Sequence, residues 1–296
     1  MNLAAFAHDH PRWMDRATRL DRVPAVGWLA LQAAALLPTW LWMAARLRDG
    51  SDDPLGLLAI AALAWLLWRD RAALRAAPRL GWLALAALGT LAATAARGGV
   101  PPLAASLVAL LAFACGLLAF LPRRSGAAPV LGLAALALPL LSSLQFYAGY
   151  PLRVVTAEAS RWLLAPGFQV TREGSSLWID GRLVIVDAPC SGVQMVWFGY
   201  FTACAVALFQ RRALDDRRFL ARLPLVGVLV LAGNIARNSV LVAFEGAARP
   251  LAPWAHEALG LAVLALVCGG IALAMARPAA SPSLIRFGGA RVPSLP

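Results

Sequence analysis

The chain has 296 residues, 60% of them hydrophobic and 14% charged, with a mean hydropathy of +0.69, whereas soluble domains carry about 45–50% apolar and about 25% charged residues. The surplus falls in separate runs long enough to cross a bilayer, which excludes a soluble enzyme, a disulfide-stapled secreted scaffold and a disordered regulator, and predicts a polytopic membrane protein. The formal charge of +12 comes from 27 arginines and no lysine; they sit in short clusters between apolar runs, not on a face with interleaved aromatics, so nucleic acid is excluded as a partner.

Residues 1–24 alternate in charge (Asp15, Arg16, Arg19, Asp21, Arg22) and no cleavage site follows the first apolar run. They read as a cytoplasmic amphipathic segment lying on the membrane, not as a secretory signal. About 20 apolar residues are needed for each crossing, and eight spans are predicted, at 25–45, 54–68, 80–96, 102–121, 128–147, 191–210, 222–244 and 254–276. The second is the shortest. Between the fifth and sixth lies an extracytoplasmic insert at 148–190, whose first part, Leu152 to Leu164, is predicted to be a helix on the membrane surface. After Pro166-Gly167 the pattern changes to a period of two. Leu177-Trp178-Ile179 and Leu183-Val184-Ile185-Val186 flank Asp180-Gly181, which predicts a β-hairpin, and Phe168 to Thr171 offers a third strand. Residues 277–296, rich in Pro, Ser, Gly and Arg, are predicted to be a disordered cytoplasmic tail. The fold class is therefore an all-α polytopic membrane protein of about eight transmembrane helices over 25–276, with a small extracytoplasmic helix plus β-hairpin element. With eight spans both termini share a face. That face carries 18 arginines against 8 on the other, with Arg237 inside a span, which places both termini in the cytoplasm.

Cys115, Cys204 and Cys268 lie inside apolar runs, where a thiol behaves as a small hydrophobe. No Cys/His spacing suggests a metal, and no cofactor is expected. Three other residues stand out. Arg237 lies within the seventh span, where an arginine costs about 2.5–3.5 kcal/mol to insert, with Asn234 on the same face at i−3 and placed to brace it. Cys190 precedes Ser191-Gly192 at the outer start of the sixth span, where free helix N–H groups favour a thiolate. His256 opens the eighth span. Each has a plain alternative: a structural ion pair or a snorkelling anchor for Arg237, a buried thiol at a strand–helix junction for Cys190, an interfacial residue for His256. Their convergence in one outer slab, roughly 10 Å deep at 1.5 Å per residue, favours a shared site. A Cys to attack a carbonyl, a His to move protons and a cation to hold the oxyanion make the equipment of acyl transfer.

Ala188-Pro189-Cys190-Ser191-Gly192 opening one span, Asn234-Ile235-Ala236-Arg237 in the next, and His256 with Gly260 in the last resemble the exosortase/archaeosortase family of multi-pass membrane cysteine enzymes. Leu144-Gln145-Phe146-Tyr147 and Tyr150-Pro151-Leu152-Arg153 add to the likeness, which runs from about 128 to 276. The resemblance implies a thiol peptidase or transpeptidase in the inner membrane, its site facing the exterior. Its partners would be exported membrane proteins with a C-terminal sorting signal: a Pro-Glu-Pro motif, a transmembrane helix and an Arg cluster. Transfer would be to an envelope acceptor in exopolysaccharide-producing bacteria. Cys190 would be the nucleophile, Arg237 the thiolate and oxyanion stabiliser, and His256 the proton shuttle, with Asn234, Ser191 and Gly192 in support. Pro189 lacks an N–H, so an oxyanion donor must come from Ser191 or Gly192. Glu245, Glu257 and Asp187 are the candidates for orienting His256, and Glu257 is expected to be too exposed to do so. The rival classes are a transporter or lipid-binding membrane protein and a non-catalytic exopolysaccharide-assembly subunit.

Overall fold

The computed structural model describes residues 24–50, 52–185, 191–210, 215–249 and 251–276. The N-terminal segment, the C-terminal tail, Asp187 and Cys190 lie outside the described residues. Within them the chain forms ten α-helices and a three-stranded sheet. The helices are α1 (Ala25–Ala35), α2 (Leu37–Arg48), α3 (Gly56–Arg69), α4 (Leu80–Ala95), α5 (Pro102–Phe120), α6 (Ala127–Leu136), α7 (Leu141–Leu164), α8 (Val193–Phe209), α9 (Asp216–Gly246) and α10 (Pro253–Ala276). Leu/Ala-rich runs without polar side chains leave the backbone no partner but itself, and the helix satisfies every N–H and C=O internally.

The apolar runs fall where the sequence places them, but they are not eight continuous spans. Three helices, α5, α9 and α10, are long and apolar enough to cross a membrane alone. Two bent pairs are further candidates when each is counted as one: α1 and α2 meet at 64°, α6 and α7 at 94°. Proline accounts for both breaks, since it has no N–H to give and its ring collides with the carbonyl four residues earlier. Pro38 follows the break at Leu36, and Pro139 sits between Leu136 and Leu141. The span predicted at 128–147 is thus not one straight helix but is broken near its middle. Its second half joins the predicted surface helix in one 24-residue helix, α7, which runs through Pro151. The remaining α3, α4 and α8 have 14, 16 and 17 residues, about 21–26 Å at 1.5 Å each, short of a hydrocarbon core of about 30 Å.

α8 packs against α6, α7, α9 and α10, and its Trp197 is 1% exposed. The indole Nε1 donates to the Leu136 carbonyl at 3.2 Å, satisfying an acceptor that the early end of α6 leaves free. At the far end Asp216, the first residue of α9, accepts from the Ala127 and Ala128 N–H groups at 3.0 Å each. One carboxylate thereby caps α6 and ties it to α9.

The sheet is antiparallel, in the order β1 (Val170–Glu173), β2 (Ser176–Ile179), β3 (Arg182–Ile185). Ile179 pairs with Arg182, leaving Asp180-Gly181 as a two-residue turn with φ of 47° and 81°, the all-positive geometry that matches strand twist. The predicted hairpin is present, and the third strand begins two residues later than Phe168. Leu177 and Ile179, both fully buried, rest with Val184 on Ala157 and Leu164 of α7 and Val242 of α9. Glu158 fastens the sheet's edge: its carboxylate accepts from Arg161 at 2.7 Å, Arg172 at 2.6 Å and Trp162 Nε1 at 2.9 Å.

Candidate functional site

Chain connectivity brings β3 back to the head of α8, and Gly192 makes the entry. It has φ of +80°, and a Cβ there would lie 2.7 Å from Asn234 Cγ. Both the left-handed backbone and the close approach therefore demand glycine. Beside it Ser191, 2% exposed, donates to Gln145 Oε1 at 2.8 Å and accepts from the Val193 N–H at 3.4 Å. The turn immediately after Cys190 is so pinned from two sides, by Gln145 of α7 and Asn234 of α9.

Asn234 does more than press on that turn. It is 2% exposed, and its Nδ2 donates to Thr156 Oγ1 at 3.1 Å, with Thr156 fully buried. One turn along, Asn238 Nδ2 donates to Ser160 Oγ at 3.2 Å, and Ser239 Oγ lies 3.0 Å from the same oxygen. Positions 156 and 160 of α7 and 234 and 238 of α9 each repeat at i+4, so two helix faces meet along a polar seam. Buried polar side chains are stabilised by such interhelical pairs. The sequence reading singled out Asn234 but missed Thr156, Ser160, Asn238 and Ser239, and quoted Gln145 without giving it a role.

Arg237 is three residues further along α9. Its Nη2 lies 3.4 Å from His256 Nε2 on α10. The guanidinium lies along α10 because Gly260, one turn after His256, has no side chain: a Cβ there would come within 3.3 Å of Nε and Nη2. Since arginine only donates, His256 Nε2 meets it as the acceptor, which puts the ring proton on Nδ1. Glu257 is exposed, and among the described residues no hydrogen bond joins it to His256. Gly192, Gln194, Met195, Phe198, Arg237 and Glu257 line a cavity of about 300 Å³ that extends to Gly260 and Leu264. It is part polar and part apolar, open to one side, and large enough for a few peptide residues.

Of the predicted site residues with described positions, Gly192 and Arg237 thus line one cavity, Ser191 and Asn234 are buried against the Gly192 turn, and His256 joins through Arg237. Cys190 lies outside the described residues, covalently next to Ser191. Of the three other cysteines, Cys204 is buried and Cys115 and Cys268 are partly so, all with free thiols. A family model described as transmembrane exosortase matches residues 42–273. No curated protein and no solved structure matches the chain.

Proposed function

The chain belongs to the transmembrane exosortase family, and from that premise we propose that it is a membrane-embedded cysteine peptidase or transpeptidase with Cys190, Arg237 and His256 as its catalytic residues. The observation that carries this reading is the 3.4 Å contact of Arg237 with His256 beside the cavity that Gly192 lines, two residues from Cys190. His256 Nε2 takes the proton of the Cys190 thiol as the sulfur adds to the scissile carbonyl, and the developing oxyanion is held by Arg237 and a backbone N–H of Ser191 or Gly192. His256 gives a proton to the leaving amine as the C–N bond breaks, leaving a thioester on Cys190. Water or an acceptor nucleophile then adds, passes its proton back to His256 and expels the thiolate. While His256 holds a proton on Nε2 it is a donor beside a cation, so its contact with Arg237 loosens and the guanidinium is free for the oxyanion; giving the proton away restores the contact.

The substrates of this reading are exported proteins with a C-terminal Pro-Glu-Pro motif, a transmembrane helix and an Arg cluster. The chain would sit in the inner membrane with both termini cytoplasmic and the cavity facing out. Eight crossings are reached if α3, α4 and α8 cross where the bilayer thins around them, at a fraction of a kcal/mol per Å of mismatch. The test is co-expression in membranes with such a substrate, following its tail by immunoblot. Wild type removes the tail, Cys190→Ala and Cys190→Ser leave it in place, and the mass of the new C-terminus separates hydrolysis from transfer. An equally intact tail in all three, with substrates from the native genome also untouched, would remove the enzyme reading and promote the lipid-binding one.

A further inference from the structure

The far end of α8 carries a second polar cavity, remote from the first. From Gly192 to Gln210 the helix covers about 27 Å at 1.5 Å per residue. There Arg69, Asp70, Arg124, Ser125, Leu208 and Gln210 surround a space of about 380 Å³. Asp70, 2% exposed, is its organising centre. Oδ1 accepts from Arg69 Nε at 3.3 Å and Arg124 Nη2 at 2.9 Å, and Oδ2 accepts from Arg69 Nη2 at 3.2 Å. Arg69 also donates to the Leu208 carbonyl at 3.1 Å and lies over the Phe209 ring at 5.2 Å. Two guanidinium groups are therefore held in place before any ligand arrives, and the trio keeps a net positive charge. Both Asp70 oxygens are turned onto arginines, which shields an incoming anion from them.

Two further side chains of this cavity have a donor to spare. Ser125 is 8% exposed, and among the described residues its Oγ has no hydrogen-bond partner. Gln210 Nε2 is likewise buried and without one among the described residues. Arg124, whose side chain is 64% exposed, spends one N–H on Asp70 and has others to offer. Buried polar groups are costly unless bonded, and a hydroxyl, an amide nitrogen and a guanidinium around one space ask for a ligand rich in acceptor oxygens and negative in charge. The loop that follows Arg69 and Asp70 is fixed to the end of α5, where the backbone N–H groups of Arg75 and Arg79 donate to the Phe120 and Ala119 carbonyls at 2.9 Å each. Basic pockets between membrane helices bind anionic headgroups for these reasons.

We infer that the Arg69–Asp70–Arg124 cavity at the C-terminal end of α8 is a binding site for a phosphate-type oxyanion, presented either by an anionic phospholipid headgroup or as free phosphate. The lipid source suits its place at the end of a membrane helix, with Leu208 and Phe209 on its wall to meet the glycerol and acyl chain. The site does not depend on the proposed enzymatic reading, because it lies at the other end of α8 and shares no residue with the first cavity.

The experiment is thermal unfolding of the full chain in detergent micelles, followed by tryptophan fluorescence. It is titrated separately with short-chain phosphatidylglycerol, short-chain phosphatidylcholine and inorganic phosphate, for wild type, Ser125→Ala, Arg124→Gln and Gln210→Leu. Phosphatidylglycerol should raise Tm with a saturable midpoint and phosphatidylcholine should not. Arg124→Gln and Gln210→Leu should each weaken that midpoint at least roughly tenfold, the loss expected from one charge-assisted hydrogen bond. Inorganic phosphate reproducing the shift at millimolar concentration would assign the site to the free ion; no response to phosphate alone would assign it to the lipid. Ser125→Ala is small enough to keep the fold and should weaken the midpoint by a few-fold. The inference is overturned if all four proteins respond to phosphatidylglycerol alike, or if phosphatidylcholine stabilises as well as phosphatidylglycerol.

Discussion

α5 and α10 are equally apolar, with the same mean hydropathy of 2.5, yet 61% of the spanning window of α5 is buried within the protein against 17% for α10. α9 resembles α10, at 22%. The helix that does most to fill the interior carries no candidate for chemistry, while the two that carry Arg237 and His256 stand at the periphery. α5 is held by its surroundings: Leu118, Ala119 and Phe120 are almost wholly enclosed, and Ala112 accepts from Gln32 at 2.9 Å. α9 is held by the polar seam against α7, and α10 meets the site through Arg237 and Gly260. Burial fixes the first helix and directed hydrogen bonds position the others, so substitutions in the two regions should break different things.

The largest effect is expected at the peripheral pair. Arg237→Ala and His256→Ala should each lower tail cleavage by about 10²–10³-fold, the range for losing an oxyanion donor or a proton shuttle, while Tm in detergent stays within a few degrees. Arg237→Lys should not restore activity, because a point charge cannot keep the planar contact along Gly260. A loss of cleavage that tracked a loss of folded protein would erase the distinction between the two regions.

In the interior the order reverses. Leu118→Ala removes a side chain with no exposure and should cost about 2–5 kcal/mol, seen as a lower Tm or denaturant midpoint, with cleavage per folded molecule unchanged. If Leu118→Ala cut specific activity as deeply as stability, α5 would belong to the site's machinery after all.

How far sequence alone reaches differs between these regions for physical reasons. The hairpin was legible because Asp180-Gly181 makes its turn locally, with both residues at positive φ. Arg237 and His256 were legible because polar groups in apolar runs are expensive and therefore conspicuous. The break between α6 and α7 was not, since a hydropathy window averages over Pro139 and reads one run where the backbone turns by 94°. Nor were the partners of Asn234 and Asn238: Thr156 and Ser160 lie 78 residues away in each case, and their i+4 match becomes a signal once α7 and α9 are known to touch. Asn234 Nδ2 donates to Thr156 Oγ1, a bond that the i−3 spacing of Asn234 to Arg237 does not announce.

The seam itself gives a test of intermediate size. Thr156→Val keeps shape but removes the acceptor of Asn234 Nδ2, and a buried hydrogen bond of this kind is worth about 0.5–1.5 kcal/mol. Tm should fall modestly. Cleavage should fall further, by roughly tenfold, because Asn234 also seats the Gly192 turn beside Cys190. Thr156→Ser should recover both. Equal and small losses in Tm and rate for Thr156→Val would reduce the seam to packing.

The smallest effect is expected where the sheet meets the outer half of α7. Hydrogen bonds from Arg161 and then Arg172 hold the Glu158 carboxyl at about 2, against an ordinary value of 4.5. A carboxyl depressed on folding adds stability that is fully present above the ordinary value and is lost as pH falls through 4.5 toward 2. Between pH 7 and 5 the contribution should be flat; below pH 4.5 the wild type should lose it progressively, whereas Glu158→Gln should start lower and fall less. The carboxylate is open to solvent and its partners are screened by salt, so the difference should be a small shift in Tm that shrinks further at high ionic strength. A pH profile of Glu158→Gln superimposable on wild type would mean that β1 is held to α7 by Leu177 and Ile179 alone, and that this outer element is fixed by burial, as α5 is.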